Sequence, residues 1–243
     1  MHADRLLPRS VALALLWSER NGPRTGMLLF GDDEPHTLGA VPLLESLADV
    51  DARAVWALVP VPGDPQGLPP GVAAAAADAG EAVVVQHADG TTVLVPDVIP
   101  FGSELEPGVM VRWRQHDGAG TRGPSASPGE ARLALTEALA TAVDELTALD
   151  VARERPELRE AFLDLSGPPD RRTEALTYRL DERRSDLLVR ALRVLEIARL
   201  ADEDDGAAVT ANQMNARSAV LRDLARAART AVGVATAHAV PPA

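Results

Sequence analysis

EAVVVQHADGTTVLVPDV, residues 81–98, decides the fold class. Two runs rich in β-branched residues, 81–87 and 91–98, flank Ala88-Asp89-Gly90, and Asp-Gly between such runs marks a tight hairpin. Strands so close in sequence pair antiparallel, because a parallel pair needs a crossover of about a dozen residues or more. Similar runs lie to either side. ARAVWALVPV (52–61) and GVMVRWRQ (108–115) read as two further strands bounded by turn formers. Helical spacing appears before them, in SVALALLWSER (10–20) and in TLGAVPLLESLADV (37–50), where Pro42 falls in the first turns. The N-terminal part is therefore expected to be a small antiparallel sheet with flanking helices, an α+β arrangement.

Composition changes near residue 118. GAGTRGPSASPGE (118–130) interrupts the pattern, and beyond it alanine, leucine and arginine dominate. The division expected is an α+β domain at 1–118, a linker at 119–127 and a helical bundle at 128–243, each half with its own hydrophobic core. Trp17, Val55, Leu58, Val84, Val95 and Val111 are assigned to the first core and the leucine stripes to the second. Ser127-Pro128-Gly129-Glu130 matches a capping box with proline at the first helical position. Leu135, Leu139, Val143, Leu146 and Leu149 follow at spacings of three and four. A helix from Pro156 to Ser166 and one long helix over 170–201, striped by Leu176, Leu180, Leu188, Leu192, Leu195 and Ala198, come next. Thr210-Ala211-Asn212-Gln213 starts the last helix, which is expected to bury Met214, Leu221, Leu224, Ala228 and Val232.

Composition also excludes chemistry. All 24 basic residues are arginine, so there is no lysine for a Schiff base or a Walker-type phosphate loop. The chain has no cysteine, which removes disulfides, thiolate nucleophiles and zinc–thiolate sites. A net charge of −12 and an aromatic content of 3% argue against a nucleic-acid partner. No apolar run reaches the roughly 18 residues of a membrane span, and Trp17-Ser18-Glu19-Arg20 follows the first apolar run where a signal peptide needs small residues. The expectation is a soluble, acidic, cytoplasmic protein without membrane association.

Four stretches hold candidate functional residues. Asp32, Asp33, Glu34 and His36 in GDDEPH offer ligand types for a metal or an acid–base pair, although the cluster also reads as a loop and helix start. Gly63, Asp64 and Gly67 in PVPGDPQGLPPG (60–71) supply a loop that can carry a ligand, against the plainer reading of a rigid polyproline connection. It lacks G-x-G-x-x-G. Asp202-Glu203-Asp204-Asp205 reads as a solvated turn: with Gly206 at the sixth position of a calcium loop, Ala201 stands first and Asn212 twelfth, so both key ligands are missing. The stripe over 187–200 is wider than one neighbouring helix covers, so it is met by further helices of the same domain or by a second copy of the chain, the latter through Leu188, Leu192 and Leu195. No catalytic residues and no cofactor are indicated. The five histidines (2, 36, 87, 116 and 238) are scattered.

GDDEPH, VPVPGDPQGLPPG, AGEAV (79–83) and LADEDDGAAV with LRDLARAAR (200–229) resemble, in order and layout, an uncharacterised family of high-GC actinobacteria with no described activity. That resemblance implies a cytoplasmic actinobacterial protein and no functional residue. The residues themselves favour a non-enzymatic regulatory or protein-interaction protein, self-associating through helices as a homodimer or binding a protein partner. The alternatives are a small-molecule binding or sensing protein using the 60–71 loop and a metal-assisted hydrolase using residues 32–36.

Overall fold

The computed structural model describes residues 7–17, 37–38, 52–103, 105–148, 171–203 and 211–240. Its elements are α1 (Arg9–Leu16), β1 (Thr37–Leu38), β2 (Ala54–Leu58), α2 (Pro70–Ala79), β3 (Ala82–Gln86), β4 (Thr91–Gly102), β5 (Pro107–Asp117), α3 (Pro128–Ala148), α4 (Arg171–Thr177), α5 (Glu182–Glu203), α6 (Ala211–Thr236) and β6 (His238–Ala239). The sheet order is β1-β5-β4-β3-β2-β6. β1 runs parallel to β5, and the other five strands pair antiparallel. A mixed helix-and-strand N-terminal part and a helical C-terminal region are as the sequence indicates. Thr37 and Leu38 are strand, ahead of the helix expected within 37–50 with Pro42 in its first turns; residues 39–50 lie outside the described residues, as does 156–168.

The hairpin at 81–98 forms, closed by the His87 amide donating to the Gly90 carbonyl at 2.8 Å. Past Leu94, β4 pairs with β5 alone among the described residues, and a strand with one open edge is where Pro96 and Pro100 are tolerated. Alternation along β2 and β3 explains their continuous apolar runs. Val55, Ala57, Val83 and Val85 face one layer, while Trp56, Leu58, Ala82 and Val84 face the other. Both faces are covered, which is why the strands lack the polar alternation of a half-exposed sheet. On the second face lies α2, with Val72 and Ala76 fully buried. The expected connection over 60–71 leads directly into this helix, which has Pro70 at its start and Gly80 in the left-handed conformation at its end.

The first face joins the two halves. Trp17, Val55 and Val111 belong to one buried cluster with Leu135, Leu188 and Val232, so the expected separation into two hydrophobic cores is not what forms. Leu58, Val84 and Val95, placed with Trp17 in the sequence reading, lie across the sheet from it. Besides the packing of α1 on α4, α6 makes the merger. Its last turns lie on β2, where Thr236 Oγ1 accepts the Ala57 amide at 3.0 Å and donates to Val232 O at 2.9 Å, and β6 then pairs beside β2. Segment 119–127 is partly packed too: Thr121 is buried, and a Cβ placed on Gly123 would lie 3.7 Å from the Trp56 ring.

Helix ends follow local chemistry. At α3 the Glu130 amide donates to Ser127 Oγ at 3.2 Å, and Glu130 Oε2 accepts the Ser127 amide at 2.8 Å, completing the capping box. The Ser127 amide first, and then the Ser127 hydroxyl, which donates to the same Oε2 at 2.7 Å, hold the Glu130 carboxyl below its usual range. Ser127→Ala should cost about 1 kcal/mol in urea unfolding, and an unchanged midpoint would show that the cap adds nothing. Val143 is exposed on this helix and Ala142 is buried in its place.

The single helix expected over 170–201 is two. Asp181 breaks it by capping α5, accepting the Arg184 amide at 3.1 Å through its side chain and the Ser185 amide at 2.9 Å through its carbonyl. At the far end α6 starts at Ala211, but Met214 is 44% exposed, because its first turns project to solvent and full burial begins at Val220. α1, buried on all sides, takes its amino-terminal partner from a distance: Glu81 Oε2 accepts the Ser10 amide at 2.8 Å.

Arg184 closes the other end of α6, donating to the carbonyls of Ala235 and Ala237. Next to it, burial pushes the His238 imidazole below its ordinary 6.5, more than its hydrogen bond to Thr236 O raises it, and the Arg184 charge adds to the lowering. The unfolded chain therefore binds this proton more readily than the folded one. Stability should be insensitive to His238 above neutrality, fall as pH drops through 6.5, and level off below the folded value. Urea melts across pH 5–8 check this. His238→Gln should flatten that slope relative to wild type, and parallel curves would contradict the assignment.

Candidate functional site

A cavity of about 550 Å³ opens between the β2–α2 loop, the C-terminal half of α5 and the middle of α6. The loop wall is built by its own sequence. Val61-Pro62-Gly63-Asp64 is a tight turn with reciprocal backbone hydrogen bonds of 3.1 and 2.9 Å between Val61 and Asp64, and Gly63 at φ +85° occupies the position that requires glycine. Gln66 Oε1 folds back to accept the Val59 amide at 2.6 Å. The wall is thus held before any ligand arrives.

Asp64 ties that wall to α6. Its Oδ2 accepts from Arg229 Nε at 3.0 Å and Nη2 at 2.8 Å, and Arg226 Nε stands 3.9 Å away. The Arg229 side chain is 8% exposed. Arg222, Arg226 and Arg229 share one face of α6 at spacings of four and three, and all three line the cavity with Arg199 from α5. Most of this charge is internally met. Arg226 Nη1 pairs with Asp223 at 2.7 Å, and Arg199 Nε donates to Glu196 at 2.9 Å. The remaining lining is mainly apolar, including Val59, Leu195, Leu221 and Ala225.

Of the sequence candidates, Gly63 and Asp64 line this cavity; Gly67, at φ +79°, serves the loop bend and does not. Asp202 lies in the last turn of α5 and lines the cavity, rather than sitting in a loop after the helix; Asp204 and Asp205 are outside the described residues. Leu188 is fully buried and Leu192 is 3% exposed within the chain's own core, so the surplus apolar surface that suggested an interface there is covered internally. Leu195 is partly buried and lines the cavity. Asp32, Asp33, Glu34 and His36 lie outside the described residues. Among the described residues, no three metal-ligating side chains gather, and no helix is long and apolar enough to cross a membrane.

Sequence reasoning missed the arginines. LRDLARAAR shows the spacing, but the partner that ties Arg229 to the loop, Asp64, is 165 residues away.

Fold and cavity together define an α+β protein with a preformed, arginine-walled cleft. It belongs to the Rv1486c-like family: the family model for the Rv1486c-like protein, N-terminal domain, matches residues 3–131, and that for the C-terminal domain matches residues 129–233. No curated protein and no solved structure matches the chain.

Proposed function

We propose that this chain is a non-enzymatic binding protein that takes a small molecule in the cleft between the 59–64 loop, α5 and α6. The observation that carries this reading is the lining itself. It has the volume of a ligand site, an apolar floor and fixed charges, and among its described residues no serine, threonine, histidine or tyrosine stands ready for nucleophilic or proton-transfer work. Its aspartate nearest the loop is committed to Arg229. A thermal-shift screen of cytoplasmic metabolites tests it. Hits should raise the midpoint of wild type and lose their effect in Ala225→Trp, which fills the cleft; hits indifferent to that substitution would place binding elsewhere.

A second reading, association with a protein partner or a second copy, is favoured by the β4–β5 hairpin. Val98 and Phe101 are each 41% exposed and Leu105 is 93% exposed. Light scattering decides it: a mass near 25.6 kDa that does not change on dilution speaks for a monomer, and a doubled mass that Leu105→Asp halves speaks for self-association.

A further inference from the structure

We infer that the cleft's ligand is a zwitterion with an apolar body, the chemistry shared by apolar amino acids and short apolar peptides. The inference rests on the cleft being a binding site and follows from its charge bookkeeping. Four arginines and three aspartates line the cavity. Arg229 is met by Asp64, Arg226 by Asp223, and Arg199 by Glu196. Two opposite charges are left over. Arg222 uses its Nε on the Ser218 carbonyl at 3.1 Å and has no carboxylate partner among the described residues. Asp202 likewise has no cationic partner there, although both line the same cavity.

They stand on different walls, Asp202 on α5 and Arg222 on α6, and do not close an ion pair with each other. A carboxylate matches the fork of a guanidinium, and an ammonium matches a carboxylate. A ligand that carries both groups satisfies both walls, whereas an anion alone leaves Asp202 facing it. Leu195 and Leu221 line the same cavity and contribute its apolar surface.

Titration calorimetry separates the possibilities, with L-leucine, L-leucyl-L-leucine, 4-methylpentanoate (no ammonium) and 3-methylbutylamine (no carboxylate) as probes. One of the two zwitterions should bind at least tenfold more tightly than either singly charged probe, and which one does so tells amino acid from peptide. Arg222→Gln and Asp202→Asn should each weaken that binding tenfold or more, without moving the thermal midpoint of the unliganded protein, because both side chains are exposed. Equal binding of 4-methylpentanoate would overturn the inference, as would binding of no zwitterion at millimolar concentration or indifference to both charge variants. The cleft reading fails separately, when Ala225→Trp leaves the binding of whichever probe is taken up unchanged.

Discussion

Asp64→Ala should destabilise the protein by about 2–4 kcal/mol, while Arg229→Met should cost less. The asymmetry comes from burial. Arg229 Nη2 lies 2.8 Å from Asp64 Oδ2 with its side chain 8% exposed, so deleting the carboxylate leaves a cation with little access to water. Removing one partner of a buried pair typically costs about 3–5 kcal/mol, whereas replacing the charge by an apolar side chain of similar length removes the desolvation penalty together with the attraction. The lower figure is expected because Asp64 itself is 17% exposed and Arg229 can draw some water through the cleft. The turn should survive, since its Val61–Asp64 hydrogen bonds are main-chain. Adding Arg229→Met to Asp64→Ala should therefore restore stability relative to Asp64→Ala alone. Urea unfolding of the four proteins in the cycle measures this, and an Asp64→Ala midpoint equal to wild type would mean that the pair contributes nothing.

That pair also shows where sequence reading stops. The hairpin at 81–98 and the Ser127 capping box are local: the residues that make each feature lie within a few positions, so pattern suffices. The break before α5 was equally local, in Asp181, but the leucine stripe runs through it from Leu176 to Leu188 and hides it. α2 is hidden differently, by prolines that look like a connection although one of them begins the helix. The cleft had half its signal on view. A proline-glycine-aspartate turn and an arginine row on a helix are each legible, but nothing in either says that residues 64 and 229 meet. The same holds for Glu81 at the amino end of α1 and for Trp17 in one core with Val232.

Residues 1–127 and 128–243, expressed apart, should each lose cooperative unfolding. In the intact chain α1 packs against β2, β3, α4 and α6, and Ala231, Val232 and Ala235 of α6 are fully buried. Without the second fragment the first exposes an apolar face that runs from α1 across β2. It also loses the Thr236 hydroxyl as acceptor for the Ala57 amide and the β6 strand from the β2 edge. Each large side chain uncovered costs about 1.5–3 kcal/mol, so a handful uncovered together consumes the 5–15 kcal/mol that a domain commonly has. The 1–127 fragment should keep far-ultraviolet strand signal yet melt without a sharp transition and bind a hydrophobic dye, as compact states without fixed packing do. A sharp, dye-free melt would show that the halves carry separate cores after all. A single proteolytic cut within 119–127 of the intact protein is a different experiment. Both pieces should then migrate together on gel filtration, because α6, β6 and the Asp64–Arg229 pair, none of which passes through that segment, already hold one half to the other.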